Sequence, residues 1–497
     1  MAGGVVLAID QGTTNTKALL VGRGGLPVFR ASVPVDLLQP HSNLIEQAPS
    51  DLWQSVRAVI KQCASFAKDV GLAVEGIAIS SQRETAVAWR AGRDVAAIGN
   101  AISWQCRRSA EVCDRLAPHH LLIRQVTGLP VDPLATAGKW TWLLEHSSEV
   151  RSAAESGQLR FGNVDAWLLA NFTGGESHAT DHSNASRTAL FDLRSLKWSE
   201  ELLSIFGISR AALPEVKSSA SQFGTCTTIP ELDGVPVVAM IGDSHAALFG
   251  HGSYVPGAVK ATYGTGSSLM MLTPALLEES ASLARTIAWS YGDRVQFAME
   301  GNITMTGSAV QWVGEFLGLT NPIADTVALA NSVPDSDGIV FVPAMVGLGA
   351  PYWDANARGT ISNLGRSHTA AHLARAALDS IAFQIADVFL AMEKATSVAM
   401  PTLRADGGAT RNSDLMQFQS DILCRPVLRS SNEELSGLGA AWLGGLTLGW
   451  WNSLDEIEYI PHPSERFEPS MPAAKRELLY SKWQLAVDRA RLQGAPA

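Results

Sequence analysis

Two short turns rich in Gly and Thr, Gly12-Thr13-Thr14 and Gly264-Thr265-Gly266, each interrupt a run of apolar and β-branched residues. Such a turn reverses the chain and aims successive N–H groups and Thr hydroxyls at one point, a nest that suits a phosphate. The copies stand 252 positions apart in a chain of 497 residues, the spacing of two similar halves. The first copy also carries Asp10 at the end of its leading apolar run, where a carboxylate can hold the magnesium that accompanies a nucleotide. The second has Thr262 and Tyr263 there, so the halves are not equivalent.

Four further strings carry chemistry. Arg83 and Glu84 follow the apolar run at residues 74–82, and an adjacent cation and anion can grip a hydroxylated molecule; a surface ion pair is the competing reading. Trp104 can wall a carbon chain or belong to the core, and Arg107 and Arg108 open a helix, where a cation is unfavourable unless a partner uses it. The run VVAMIGD delivers Asp243 to the start of an Ala-rich helix, either as a base for an attacking alcohol or as a helix cap. His245, two positions on, reads as part of the helix face. Asp406, Gly407 and Gly408 end another strand and permit a flat adenine or ribose to approach the backbone, with Asn412 just ahead of a helix. Together these strings describe one cleft for a nucleotide, a metal and an alcohol.

The elements that must position these groups are strands alternating with long helices, an α/β architecture. A helix is expected at residues 51–70, with Asp51 as its N-cap and Leu52, Val56, Val59, Ile60 and Cys63 at helical spacing. Others are expected near 109–116, 139–146 and 370–395, and the Gly-rich apolar stretch at 437–451 reads as a buried helix on a sheet. The length exceeds one core, so two domains are expected, residues 1–246 and 247–497. A net charge of −10 argues against a nucleic-acid footprint, and five scattered cysteines read as reduced thiols of a cytoplasmic protein. Neither an export signal nor a membrane segment is expected.

DQGTTNTKA, SQRET, WQCRRSAEVC, TDHSNASRTALFDL, GDSHAALFG, TYGTGSS, VPAMVGLGAPYWDANARG and DGGATRNSDLMQFQSDIL, in this order, resemble the FGGY carbohydrate kinases, most closely their glycerol kinases. The resemblance extends over about residues 5–451. It implies two ribonuclease-H-like, actin-type ATPase lobes closing on ATP, Mg2+ and a small polyol or sugar, with a homodimer as a candidate assembly. It assigns Asp243 as catalytic base and Asp10 as the metal-side carboxylate. Thr13, Thr14, Asn15 and Lys17 become the first phosphate loop, Lys17 standing where glycerol kinases have Arg. Thr265, Gly307, Gln311, Gly408 and Asn412 become the nucleotide site, and Arg83, Glu84 and Trp104 the acceptor site.

This chain departs from glycerol kinases at three acceptor positions: Leu134 replaces Tyr, Ser244 replaces Gln and Ser268 replaces Phe. Lost hydrogen-bonding and ring groups weaken discrimination for a three-carbon triol. A four- to six-carbon polyol or ketose, such as a tetritol or pentulose, is therefore an alternative acceptor. A sugar-free actin-like ATPase would share both hairpins but has no use for SQRET beside a Trp wall. A sugar sensor that has lost catalysis is disfavoured by the presence of both Asp10 and Asp243.

Overall fold

The computed structural model describes residues 3–41, 44–278 and 282–492. Its frame, among the described residues, is one continuous sheet of thirteen strands. In chain order these are β1 Gly4–Gln11, β2 Asn15–Gly22, β3 Pro27–Pro34, β4 Ala73–Ser81, β5 Ala220–Thr225, β6 Pro236–Gly242, β7 Val259–Tyr263, β8 Ser267–Thr273, β9 Ala284–Tyr291, β10 Arg294–Ile303, β11 Leu403–Asp406, β12 Val427–Ser430 and β13 Ser464–Phe467.

Each Gly/Thr turn closes an antiparallel hairpin, β1–β2 and β7–β8. The same pattern is built around both. In the first half the order is β3-β2-β1-β4-β6, antiparallel up to β1 and parallel from β1 to β6. In the second it is β10-β8-β7-β11-β12, again antiparallel up to β7 and parallel beyond. The strands β5 and β9 join the halves, meeting at Ala220 and Tyr291. This two-lobed α/β arrangement agrees with the fold expected from the resemblance, since parallel strand ends that face one crevice are where such sheets place ligands.

Helices cover the sheet: α1 Pro49–Asp69, α2 Val164–Phe172, α3 Asp243–Gly250, α4 Gly307–Phe316, α5 Ala370–Thr396, α6 Ser413–Leu423, α7 Leu435–Thr447 and α8 Ala473–Leu492. The apolar face expected for α1 is fully buried, but Asp51 does not cap it. The helix begins at Pro49 with Ala48 as its cap, because proline's fixed φ and missing N–H fit the first helical position. Asp51 sits in the first turn, where its charge still opposes the helix dipole favourably.

The helix α7 is apolar on nearly all sides, as its sequence implies, and packs on β1, β4 and β6 and against α3. Its contact with α3 is backbone to backbone. A Cβ on Gly439 would lie 2.0 Å from the Ala246 carbonyl oxygen, and one on Gly250 would lie 2.4 Å from that of Leu435. Only glycine allows this approach. All five cysteines are free thiols. Among the described residues no helix is long and apolar enough to cross a membrane.

Candidate active site

The first hairpin turn is held open by its surroundings. Gly12 N donates to Asn15 O at 2.9 Å, Gln47 Nε2 donates to Thr13 O at 2.8 Å, and Trp104 Nε1 donates to Thr13 Oγ1 at 2.9 Å. Trp104 is thereby tied to the turn itself. Thr14 and Asn15 are exposed at its tip. Behind the turn, Asp10 accepts the Ser80 hydroxyl at 2.9 Å, and Lys17, its cross-strand neighbour, pairs with Glu434 at 2.8 Å. Burial, with the nearby Asp243 adding repulsion, pushes the Asp10 carboxyl up to about 7.

The second turn receives the start of α4. Gly307 N donates to Gly264 O at 3.0 Å and Ser308 N to Thr265 O at 3.1 Å, so the helix's first amides are satisfied by the hairpin's carbonyls. A Cβ on Gly307 would lie 2.6 Å from Gly264 O, which accounts for glycine there. A cavity of about 690 Å³ opens beside this turn. Thr265, Gly307, Gln311, Gly408 and Asn412 all line it, with apolar Val310, Ile323 and Leu378 on its walls. Gly407 adopts φ +97°, and Gly408 has open space where a side chain would be. Asn412 caps α6 by accepting from Leu415 N at 3.1 Å, which leaves its buried Nδ2 unpartnered. Thr13, Thr14, Asn15, Lys17 and Asp10 do not line this cavity; they stand on the first half's side of the cleft.

Between the halves lies a buried charge network. Arg83 and Glu84 follow β4 and are 8% and 4% exposed, so the surface-pair reading fails. Glu84 is held at φ +59°, a left-handed conformation that costs a non-glycine residue of order 1 kcal/mol or more. Arg187 Nε donates to Glu84 Oε1 at 2.6 Å, and its Nη1 lies 2.8 Å from Glu300 Oε2. Arg83 Nη1 lies 2.8 Å from Glu300 Oε1, and its Nε lies 3.4 Å from Asp243 Oδ1. Ser268 Oγ donates to the same Glu300 Oε1 at 2.9 Å. Burial alone would raise Glu300, but Arg187 and Arg83 outweigh it and hold its carboxyl well below the usual carboxylate range.

Asp243 is the first residue of α3, with Gly242 as the cap. Its Oδ1 accepts Ser244 N at 2.6 Å, while its side chain remains 35% exposed to the cleft. Burial raises its carboxyl above the ordinary value, against the pull of Arg83. His245 is buried with Nε2 at 3.2 Å from Thr286 Oγ1; burial and Arg83 depress it and keep it neutral. Ser244 sits beside Asp243 without a side-chain partner of its own among the hydrogen bonds of the described residues. Leu134 lies in a loop fixed by the fully buried Lys139, whose Nζ donates to Leu134 O at 2.6 Å. Arg108, at the helix start that cations normally disfavour, is used by Glu46 at 2.6 Å and lies over Trp142.

Arg187 and Glu300 were not singled out from the sequence. A glutamate following the apolar run Phe297-Ala298-Met299 within a strand was the available signal, since a lone buried carboxylate requires a cation.

The model of the FGGY family of carbohydrate kinases, N-terminal domain, matches residues 5–250, and that of its C-terminal domain matches residues 259–448. "Glycerol kinase 2" of Thermotoga maritima is 44% identical over 491 residues, covering 97% of this chain and 98% of the relative. Glycerol kinase of Symbiobacterium thermophilum is 44% identical over 497 residues, 99% of each chain. Among solved structures, Plasmodium falciparum glycerol kinase with ADP superposes with a TM-score of 0.91 at 30% identity, covering 98% of both chains. Gluconate kinase from Lactobacillus acidophilus shares the fold with a TM-score of 0.87 at 22% identity, covering 99% of both.

Proposed function

The chain belongs to the FGGY family of carbohydrate kinases, and from that premise we propose that it transfers the terminal phosphate of ATP to a terminal hydroxyl of a small polyol, with glycerol as the first candidate. The observation that carries the mechanism is the state of Asp243. Its carboxylate opens to the cleft, is raised in basicity by burial, and has Arg83 near enough to orient it yet not paired tightly. That is what a base for an alcohol requires: reach, raised basicity and a free oxygen.

In this reading ATP lies with its base in the cavity against Gly408 and Asn412 and its phosphates between the two turns. Asn412 Nδ2, already oriented by the cap it makes, donates to the base. Arg83 and Glu84 bond the acceptor's hydroxyls, Trp104 packs on its carbons, and Leu134, Ser244 and Ser268 bound the pocket. Phosphoryl transfer relies on in-line positioning and charge stabilisation, so the rigid turns and the network that fixes Arg83 supply most of the rate. Asp243 accepts the hydroxyl proton late in the step.

Two carboxylates of the first half, Asp10 at the end of β1 and Asp243 after β6, repel each other, while Lys17, the cation beside Asp10, is committed to Glu434. This donor set fits Mg2+, which takes oxygen ligands and shares them with nucleotide phosphates. Asp10 would hold the ion, which supplies neutralisation of phosphate charge when bound. The relatives' names favour a glycerol-like acceptor over a four- to six-carbon polyol or ketose and over a sugar-free ATPase. Measuring ADP release with and without three- to six-carbon polyols and ketoses tests this. Release that requires glycerol supports the proposal; release indifferent to every acceptor, or strongest with a pentulose, overturns it.

A further inference from the structure

Glu300 lies in the middle of β10, fully buried, and belongs to the second half, whereas both arginines that it meets come from the first. The four groups Arg83, Arg187, Glu84 and Glu300 form a closed ring of two cations and two anions, none more than 8% exposed. In so dry a place each charge depends on its partners, and removing one leaves another uncompensated. Three carboxylates compete for Arg83: Glu300 at 2.8 Å, Asp243 at 3.4 Å and Glu84 at 4.0 Å. The closest and most deeply buried carboxylate holds the guanidinium, and Asp243 keeps an oxygen free. Ser268 locks the arrangement from the β8 side by donating to the same Glu300 oxygen.

We infer that Glu300 is a positioning residue for the acceptor site: with Ser268 it is a contribution of the second half to that site, fixing Arg83 against the acceptor's hydroxyls and holding its contact with Asp243 at the longer 3.4 Å. The acceptor pocket is therefore complete only while β10 is docked beside the end of β4. The ATP cavity does not include Glu300, so its loss separates the two substrates. This inference rests on the reading of Arg83 as an acceptor ligand.

The test is the KM for glycerol and for ATP in Glu300→Gln, Arg83→Gln and the double variant, each with a thermal melt. Glu300→Gln is expected to raise the KM for glycerol by about tenfold or more and to leave that for ATP within about twofold. In the Arg83→Gln background the same substitution is expected to add less than about twofold, because it acts through Arg83. Equal rises in both KM values, or fully additive effects, overturn the inference. If Arg83→Gln leaves the KM for glycerol unchanged, the reading of Arg83 itself fails. An effect of Arg83→Gln with none from Glu300→Gln overturns only the positioning role. Should Glu300→Gln not fold, Glu300→Asp, which keeps the charge but withdraws it from both arginines, must show the same split; its absence overturns the inference.

Discussion

Replacing Gly439 with alanine adds one methyl group between α7 and the helix that begins with Asp243. The added Cβ would lie 2.0 Å from the Ala246 carbonyl oxygen and 2.8 Å from its carbon, and Cβ atoms essentially never come closer than 3.0 Å. The obstacle is backbone, so α3 and α7 must part by about 1 Å. Ala246 is within one turn of Asp243 on a helix of only 8 residues, and the displacement reaches the carboxylate. Misplacing a catalytic group by about 1 Å costs on the order of 100-fold in rate. The overpacking costs about 1–3 kcal/mol of stability, partly offset by the roughly 1 kcal/mol by which alanine favours a helix over glycine. Turnover should therefore fall about 100-fold while the melting temperature drops only a few degrees and the KM for ATP stays within about twofold. Gly444→Ala is the control on the same helix. The nearest atoms its Cβ would meet are side chains and not backbone, Val238 at 3.1 Å and Ala78 and Val6 at 3.4 Å, so activity should stay within a few-fold. Wild-type turnover in a folded Gly439→Ala enzyme, measured by coupled ADP release, would refute the reasoning.

Three other outcomes are expected. Because burial raises the Asp243 carboxyl and only the ionised form accepts a proton, kcat/KM for the acceptor should fall with decreasing pH through a midpoint above the ordinary aspartate value; a profile with no such acid limb would count against the base role. Asp10→Asn should raise the Mg2+ concentration needed for half-maximal rate by about tenfold or more while leaving the KM for glycerol unchanged, and an unaltered metal dependence would remove Asp10 from the metal site. Asp387 accepts from Tyr352 at 3.0 Å, Tyr480 at 2.7 Å and Trp483 at 2.7 Å, clamping α8 to α5. Asp387→Ala leaves those donors unpaired and should cost about 3 kcal/mol, read in a urea melt, with turnover retained at low temperature.

What could be read in advance followed from local chemistry. The Gly/Thr turns, their 252-residue spacing and the apolar runs beside them are sequence-near signals, and both hairpins form where these signals stand. Asp243 and the Arg83-Glu84 pair announced themselves because charges at the ends of apolar strands have few structural uses. The helix cap at Asp51 was misplaced because Pro49 supplied a stronger start two residues earlier. The joining of both halves into one sheet through β5 and β9 rests on a single long-range pairing that no local pattern encodes. Arg187 lacks a local signal for the same reason, since it completes a network whose other members are far away in sequence, whereas the lone carboxylate Glu300 among apolar strand residues signals a buried cation without saying which.

The central claim is that Asp243 works in a cleft where ATP phosphorylates a terminal hydroxyl. Incubating the protein with ATP, Mg2+ and glycerol and following the mixture by phosphorus NMR tests it most directly, with Asp243→Asn alongside. Wild type should yield one terminal phosphomonoester of glycerol per ADP, and the variant, still binding ATP, should yield almost none. ADP accompanied by free phosphate instead of the ester, or full ester formation by the variant, would contradict the account.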